Sequence, residues 1–526
     1  MTTGLRSRLK SIFDQSTDRP LVVYRNKTVT YGAALTQISA LHKQFSDIVE
    51  LGGRIGVMSE RGPSAYVGTL AAFMTGRTYV TLSPKMPAHR LRQIAQSADL
   101  CAVLLSTSQI PLFQRVFSGS EHPVTGIIID ECPDPGSNPD MGTNRLVVAG
   151  EPADPASLWV DGCEDPDVAY LLFTSGSTGN PKGVPVSTKS LCSYIDSVTD
   201  FYGFSSDDRH SQTFDLSFDL AMHDLLVATS TGGALVPFLD ADLLSASHHA
   251  ETHDVTCWFS VPSQAALMSK ARTLTPGSMK SVRLSLFCGE PLSCDLAKKW
   301  QAAAPNSIIE NLYGPTEATI AMSRYRFHPQ QDNDEARRGL VPIGSPFPGM
   351  KVRFDTAPSP APDDIKIAGE LMLAGRQLAT GYWKSDSQTA RSFVTLDGEP
   401  ETVWYRTGDI VEQSPSGCLH FVGRTDQQIK IAGHRLEIGE VETELRRVSG
   451  SPASAVVPWP VEGTSIKGLV GFVEGASIGG SQIRKLLRER LPEYMIPKKI
   501  YTFDELPRST SGKIDRRRLT EDLEKK

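Results

Sequence analysis

Residues Leu171 to Val184 read LLFTSGSTGNPKGV, and the organisation of the rest of the chain follows from them. The largely apolar run Asp167–Phe173 fits a buried strand. Thr174, Ser175, Gly176, Ser177 and Thr178 come next, followed by Gly179. A string of small hydroxyl and glycine residues presents backbone N–H groups and hydroxyls to an anion, because nothing bulky keeps the anion away. Pro181 restricts the loop and Lys182 adds a point positive charge. A Walker A loop is excluded, since Gly183 follows Lys182 where that motif needs Ser or Thr. A Gly/Ser/Thr cluster alone reads as a plain surface loop. The ordered Thr/Ser, Gly, Pro, Lys and Gly after a strand favour a phosphate-binding loop.

Upstream, helical and strand patterns alternate. Thr30–Glu50, Ser64–Thr75 and Ala88–Ser97 have helical period; Arg54–Ser59, Thr78–Ser83 and Cys101–Leu105 read as strands. Such alternation predicts a parallel α/β layer structure. Residues 132–166, rich in Pro, Gly and Asp, read as an irregular connection. Downstream, Ser187 or Thr188 caps a helix running to about Tyr202. Phe218–Ala228 is helical in period, with Phe214–Ser217 extended. Val255–Pro262, Val282–Phe287 and Ser307–Asn311 read as strands. The turns CGE (288–290) and YGPTE (313–317) sit at the C-terminal ends of the last two, where open α/β sheets bind ligands. From about residue 340 short Gly- and Pro-punctuated runs predict a β-rich subdomain. A hairpin within Gly423–Glu442 opens a small α+β domain.

With 526 residues the chain is too long for one ordinary core. Its 40% hydrophobic and 22% charged residues are those of a soluble globular protein. The net charge of −6 gives no reason to expect nucleic acid or an anionic membrane as a partner. The N-terminal stretch lacks the apolar core of a signal peptide and reads as an amphipathic helix, and no run approaches the roughly 18 apolar residues of a membrane span. A cytoplasmic location is expected. The 8 cysteines lack zinc-ligand spacing and read as free thiols.

TSGSTGNPKGV, FDLSFDLAMHDLL, YGPTE, GELMLAGRQLATGYW, YRTGD, GRTDQQIKIAGHRLEIGEVE, LPEYMIP and STSGKIDRR occur in this order over nearly the whole chain. The set resembles the adenylate-forming (acyl-adenylating) superfamily, and its texture is similar to free-standing amino-acid adenylation enzymes, peptide synthetase adenylation domains and D-alanine–carrier protein ligases. The resemblance implies an N-terminal adenylation core over 1–424, made of layered α/β subdomains and a β-rich subdomain. A small mobile α+β domain would cover 425–526. It implies ATP and Mg²⁺ as cofactors. The substrate carboxylate attacks the α-phosphorus of ATP, so positive charge is needed around the reacting phosphorus. By resemblance, Thr174, Ser175, Gly176, Ser177, Thr178, Gly179 and Lys182 hold phosphates and Glu317 helps bind Mg²⁺. Tyr313 stacks on adenine, within a turn that includes Gly314 and Thr316, and Gly289 and Glu290 line the base. Asp409 and Arg424 hold the ribose. Lys513 bridges the two reacting anions, where the alternative is a solvated lysine in a basic tail. Asp426 is the hinge about which the small domain turns, bringing the Lys430–Gly433 hairpin to the site.

The resemblance also maps a substrate pocket. Asp219 takes the place of the residue that holds an amino acid's ammonium group, as a partly buried amine wants a carboxylate. A helix cap is the competing role, and Asp215 competes for either. The pocket walls map to Leu220, His223, Phe259, Leu286, Cys288, Leu312, Ile320 and Ala321. These carry no second charge unless His223 is protonated. A small neutral amino acid such as alanine, glycine or serine is implied, with Cys288 crowding its Cα substituent. Two departures stand out: Ser187 and Thr188 lie where the family often has a His, and Thr380 where peptide synthetases have Arg. The expected reaction ends on the phosphopantetheine thiol of a separate carrier protein, since the sequence ends at Lys526. The alternatives are an acyl- or aryl-CoA ligase, whose uncharged tail would waste Asp219, and a non-catalytic nucleotide-binding protein.

Overall fold

The computed structural model describes residues 4–120, 122–130, 144–151, 154–159, 164–176, 181–329, 336–355, 365–462, 465–509 and 513–525. The chain divides into two compact units. The larger comprises 1–83, 95–172 and 183–425; the smaller comprises 84–94, 173–182 and 426–526.

Two α/β sheets dominate the larger unit. A seven-stranded sheet runs in the order Arg145–Val148, Thr125–Ile128, Ala102–Leu105, Arg54–Met58, Thr78–Thr81, Val168–Thr174, Lys182–Ser187. Its first six strands pair in parallel. In a nine-stranded sheet, Ile308–Tyr313, Leu284–Phe287, Cys257–Ser260, Arg209–Gln212, Ala234–Pro237 and Pro20–Tyr24 are consecutive parallel neighbours. Most of these strands are short and largely buried, with Ala102–Leu105, Ala234–Pro237, Cys257–Ser260 and Leu284–Phe287 buried at every position, as expected where helices cover both faces. Antiparallel strands Met350–Asp355, Ile367–Gly375, Phe393–Leu396, Glu399–Gln413 and Leu419–Arg424 form the β-rich part.

Local chemistry accounts for the helix boundaries near the site. Ser187, rather than Thr188, caps the helix Thr188–Tyr202 by accepting from the Ser190 N–H at 3.0 Å. That helix ends on Gly203 and the helix Leu220–Thr231 on Gly232, both left-handed (φ 56° and 81°). Helix Leu220–Thr231 is buried from Leu220 through Ser230, which explains why its sequence shows no polar face.

Three local expectations are corrected. Phe214–Ser217 is a turn, because the Asp215 carboxylate accepts from the Ser217 N–H (3.0 Å) and hydroxyl (2.7 Å). The strand expected over Val255–Pro262 is only Cys257–Ser260, since Pro262 starts a helix, Pro262–Lys270, with its ring at the first turn. The connection 132–166 contains the strand Arg145–Val148, which pairs in register with Thr125–Ile128.

The smaller unit has its own core, built on strands Ser454–Pro458, Leu469–Glu474 and Lys499–Phe503 with helices Ile438–Ser449, Gly480–Leu487 and Arg516–Glu524. Its hairpin Gln428–Ile431/His434–Glu437 turns on Ala432 and Gly433, both at positive φ (50° and 80°). That is the pair of angles a two-residue hairpin needs to match strand twist.

Candidate active site

Three adjacent parallel strand ends carry much of the predicted pocket. Register places Phe259 beside Leu286 and Leu286 beside Glu310, so Phe259, Cys288 and Leu312 leave the sheet at neighbouring points. All three are buried, as are Leu220, Leu286, Ile320 and Ala321. Gly289 follows Cys288 at φ 91°. A Cβ there would lie 3.4 Å from Val261 and 3.7 Å from Leu220, so backbone conformation, not lack of space, calls for glycine.

Asp219 occupies the N-cap position of helix Leu220–Thr231 yet makes no side-chain cap hydrogen bond. It is 8% exposed. Asp215 holds its own turn and accepts from Ser83, whose hydroxyl donates at 3.2 Å. The cap role is therefore not the one the Asp219 side chain plays. His223, one turn along the same helix, is fully enclosed, and burial pushes its pKa well below the ordinary value. It is neutral at physiological pH, and its Nδ1 lies 2.7 Å from the Tyr194 hydroxyl. Among the residues mapped to the pocket, Asp219 is the one carboxylate and none is Lys or Arg.

The YGPTE turn is held tightly. A Cβ on Gly314 would come within 2.6 Å of Ala321 Cα, so only glycine fits. Thr316 heads the single helical turn Thr316–Ala318. Thr319 and Ile320 then sit at φ 57° and 69°; a β-branched residue there is strained and persists only if its surroundings over-determine it. Gln377 does so: its backbone carbonyl accepts from the Thr319 hydroxyl at 2.6 Å, and its amide donates to the Ala321 carbonyl at 2.7 Å. Sequence reasoning missed Gln377, although it lies inside the quoted GELMLAGRQLATGYW run. Glu317 is fully buried; the Tyr382 hydroxyl donates to it at 2.9 Å.

Asp409 and Arg424 are cross-strand partners and form an ion pair. Arg424 also donates to the Thr407 carbonyl. The Tyr313 hydroxyl donates to Asp409 at 2.5 Å, and burial together with the Asp409 charge pushes the phenol pKa far up. Glu290 accepts from the Ser263 N–H at 2.9 Å and so tops the helix Pro262–Lys270.

The smaller unit carries the remaining predicted residues. The Thr174 hydroxyl donates to the Lys182 carbonyl (3.4 Å), and the Ser175 hydroxyl donates to the Arg435 carbonyl (2.8 Å). Glu440 is fully buried against Arg90 and accepts from the Gly176 N–H. Ser177, Thr178 and Gly179 lie outside the described residues. Asp426 accepts from the Gln428 N–H at 3.0 Å, turning the chain into the hairpin. Lys513 is exposed, and its carbonyl accepts from the Ser509 N–H at 2.7 Å.

An α/β unit with two layered sheets whose strand ends carry the CGE and YGPTE turns, a glycine-rich connection between Val168–Thr174 and Lys182–Ser187, and a small α+β unit define the class. The chain belongs to the AMP-binding enzyme family: residues 10–383 match that family and residues 440–513 match the AMP-binding enzyme C-terminal domain. Among individual proteins, it is similar to the Vibrio cholerae adenylation domain AlmE, whose crystal structure is in complex with glycyl-adenosine-5'-phosphate. Identity is 30%, the TM-score is 0.87, and 99% of this chain and 98% of that one are covered. It is 29% identical to the D-alanine–D-alanyl carrier protein ligase of Listeria welshimeri over the full length of both chains. Tyrocidine synthase 3 of Brevibacillus parabrevis is 30% identical over 98% of this chain, which spans only 8% of that much longer protein. Among the described residues, no helix is long and apolar enough to cross a membrane.

Proposed function

We propose that the protein activates a small neutral amino acid with ATP, giving an aminoacyl adenylate and pyrophosphate, and then passes the aminoacyl group to the phosphopantetheine thiol of a separate carrier protein. The observation that carries this reading is Asp219: a nearly buried carboxylate, not used as a cap, beside a neutral His223 and an apolar lining. A carboxylate in such surroundings is suited to accept charge-assisted hydrogen bonds from the α-ammonium group of an amino acid. An uncharged acyl tail offers none.

Each further role is part of the same proposal. Tyr313 and Asp409, joined by their hydrogen bond, offer an aromatic surface and a ribose-binding carboxylate, with Arg424 fixing the carboxylate's orientation. Glu317 suits Mg²⁺, which is commonly held by one or two carboxylates plus phosphate oxygens; the ion would supply charge neutralisation at the phosphates. The Thr174–Lys182 loop takes those phosphates. In the arrangement seen, the Ser175 hydroxyl and Gly176 N–H are committed to Arg435 and Glu440, so a phosphate entering the loop must replace these acceptors. Lys513 neutralises the substrate carboxylate and α-phosphate as they approach, and Asp426 is the hinge between the half-reactions. Residues 1–424 and 425–526 divide these roles between nucleotide and amino-acid binding and the mobile lysine-bearing domain. Pyrophosphate exchange across a panel of D- and L-amino acids tests the reading: exchange with small neutral amino acids supports it, and exchange only with carboxylic acids lacking an amine overturns it.

A further inference from the structure

The amino-acid pocket proposed above is lined by the segment carrying Asp219 and His223 and by three strand ends. Another side chain reaches it from a different element. Tyr194 lies on helix Thr188–Tyr202, outside every motif quoted for the pocket, and is fully buried. Its hydroxyl is 2.7 Å from His223 Nδ1. Its ring stacks on Phe347, with centroids 6.3 Å apart and planes 27° apart. A phenol held at both ring and hydroxyl has one position rather than a range. The hydroxyl contact ties Tyr194 to the helix that begins after Asp219, since His223 lies one turn along it. His223 extends the contact, its ring meeting Phe259 edge-on at 4.8 Å. Tyr194, His223 and Phe259 therefore form a continuous wall.

We propose that Tyr194, locked by its hydrogen bond to His223, is a specificity-determining residue that closes the amino-acid pocket on the His223 side and limits the substrate side chain to a methyl or hydroxymethyl group. The inference rests on the pocket reading made above. A longer side chain would have to push the ring off Phe347 and break a buried hydrogen bond, leaving two polar atoms unsatisfied. No local pattern marks Tyr194, because the helix is read as a simple cover for the sheet.

The test measures kcat/KM by pyrophosphate exchange for glycine, alanine, 2-aminobutyrate and valine in the full chain. In the wild type, activity is expected to drop about 10-fold or more at 2-aminobutyrate; a decline shallower than about threefold across the whole series overturns the proposal without any mutant. Tyr194→Leu is expected to raise the valine-to-glycine ratio by about 10–200-fold. Tyr194→Phe keeps the ring but frees it, and its ratio should fall between the two. A loss of stability alone lowers activity toward every amino acid and leaves the ratio unmoved. A wild-type ratio in Tyr194→Phe or in folded Tyr194→Leu overturns the proposal. Asp219→Asn separates the two levels. If it leaves the preference for alanine over propionate unchanged, the pocket reading itself fails; if that preference collapses while Tyr194 variants keep the wild-type ratio, only the present inference fails.

Discussion

Replacing Asp224 by Asn exchanges one oxygen for an NH₂ group inside helix Leu220–Thr231, where the side chain is 1% exposed. Its Oδ2 has no hydrogen-bond partner among the described residues. Burial holds this carboxyl well above the ordinary carboxylate range, since an ion there would lose its hydration without a compensating partner. The unfolded chain ionises near the free-peptide value of about 3.9. As the pH rises through that value, the unfolded state releases a proton that the folded state retains, so stability falls. The contribution of Asp224 is therefore complete below about pH 4 and is lost progressively as the pH climbs toward the raised folded value. Each pH unit in that window is worth about 1.4 kcal/mol, giving at most about 4 kcal/mol by pH 7. The larger unit holds about 400 residues, for which the unfolding entropy at the midpoint is about 0.8 kcal/mol/K. Asp224→Asn should thus raise the Tm by up to about 5 °C at pH 7 and by less than about 1 °C at pH 4. Scanning calorimetry of both proteins between these pH values measures the difference. A Tm gap that does not change with pH, or a lower Tm for Asn at neutral pH, would refute the reasoning.

Lys513→Ala should reduce adenylate formation by ~10²–10³-fold, the usual cost of removing a charge contact made in the transition state; thiol transfer from supplied aminoacyl adenylate should survive, and equal loss of both half-reactions would contradict the two-step account. Asp219→Asn should raise the amino-acid KM by ~10²-fold or more with little change for ATP, since a nearly buried ammonium left without its carboxylate loses roughly 3–5 kcal/mol. Steady-state kinetics with alanine and propionate would show it. Cys288→Ala should relax discrimination between alanine and valine, or between stereoisomers, by about 10-fold, the worth of a methyl-sized change in an apolar pocket. Specificity ratios identical to wild type would return Cys288 to the role of a core thiol.

Much of this protein is legible in its amino-acid sequence. The order of motifs from Thr174 to Lys513 identified the family, because glycines, hydroxyls and charges at set spacings answer to the local demands of anion binding. The parallel strands with small turns at their C-terminal ends were equally readable from short apolar runs and from CGE and YGPTE. Helix Pro262–Lys270 escaped notice because the apolar run ahead of it continues into its proline. Tertiary structure alone decided how two nearby carboxylates are used locally: Asp215 holds its own turn and meets Ser83 from a distant strand end, and Asp219 does not cap its helix. It also decided that His223 is neutral, that Glu290 tops a helix, that Gln377 clamps the strained Thr319–Ile320 turn, and that the Tyr194 hydroxyl meets His223. The physical reason is common to all of them. A residue's charge and hydrogen-bonding state depends on what excludes water from it, and those neighbours come from segments tens to hundreds of residues away, which no local spacing records.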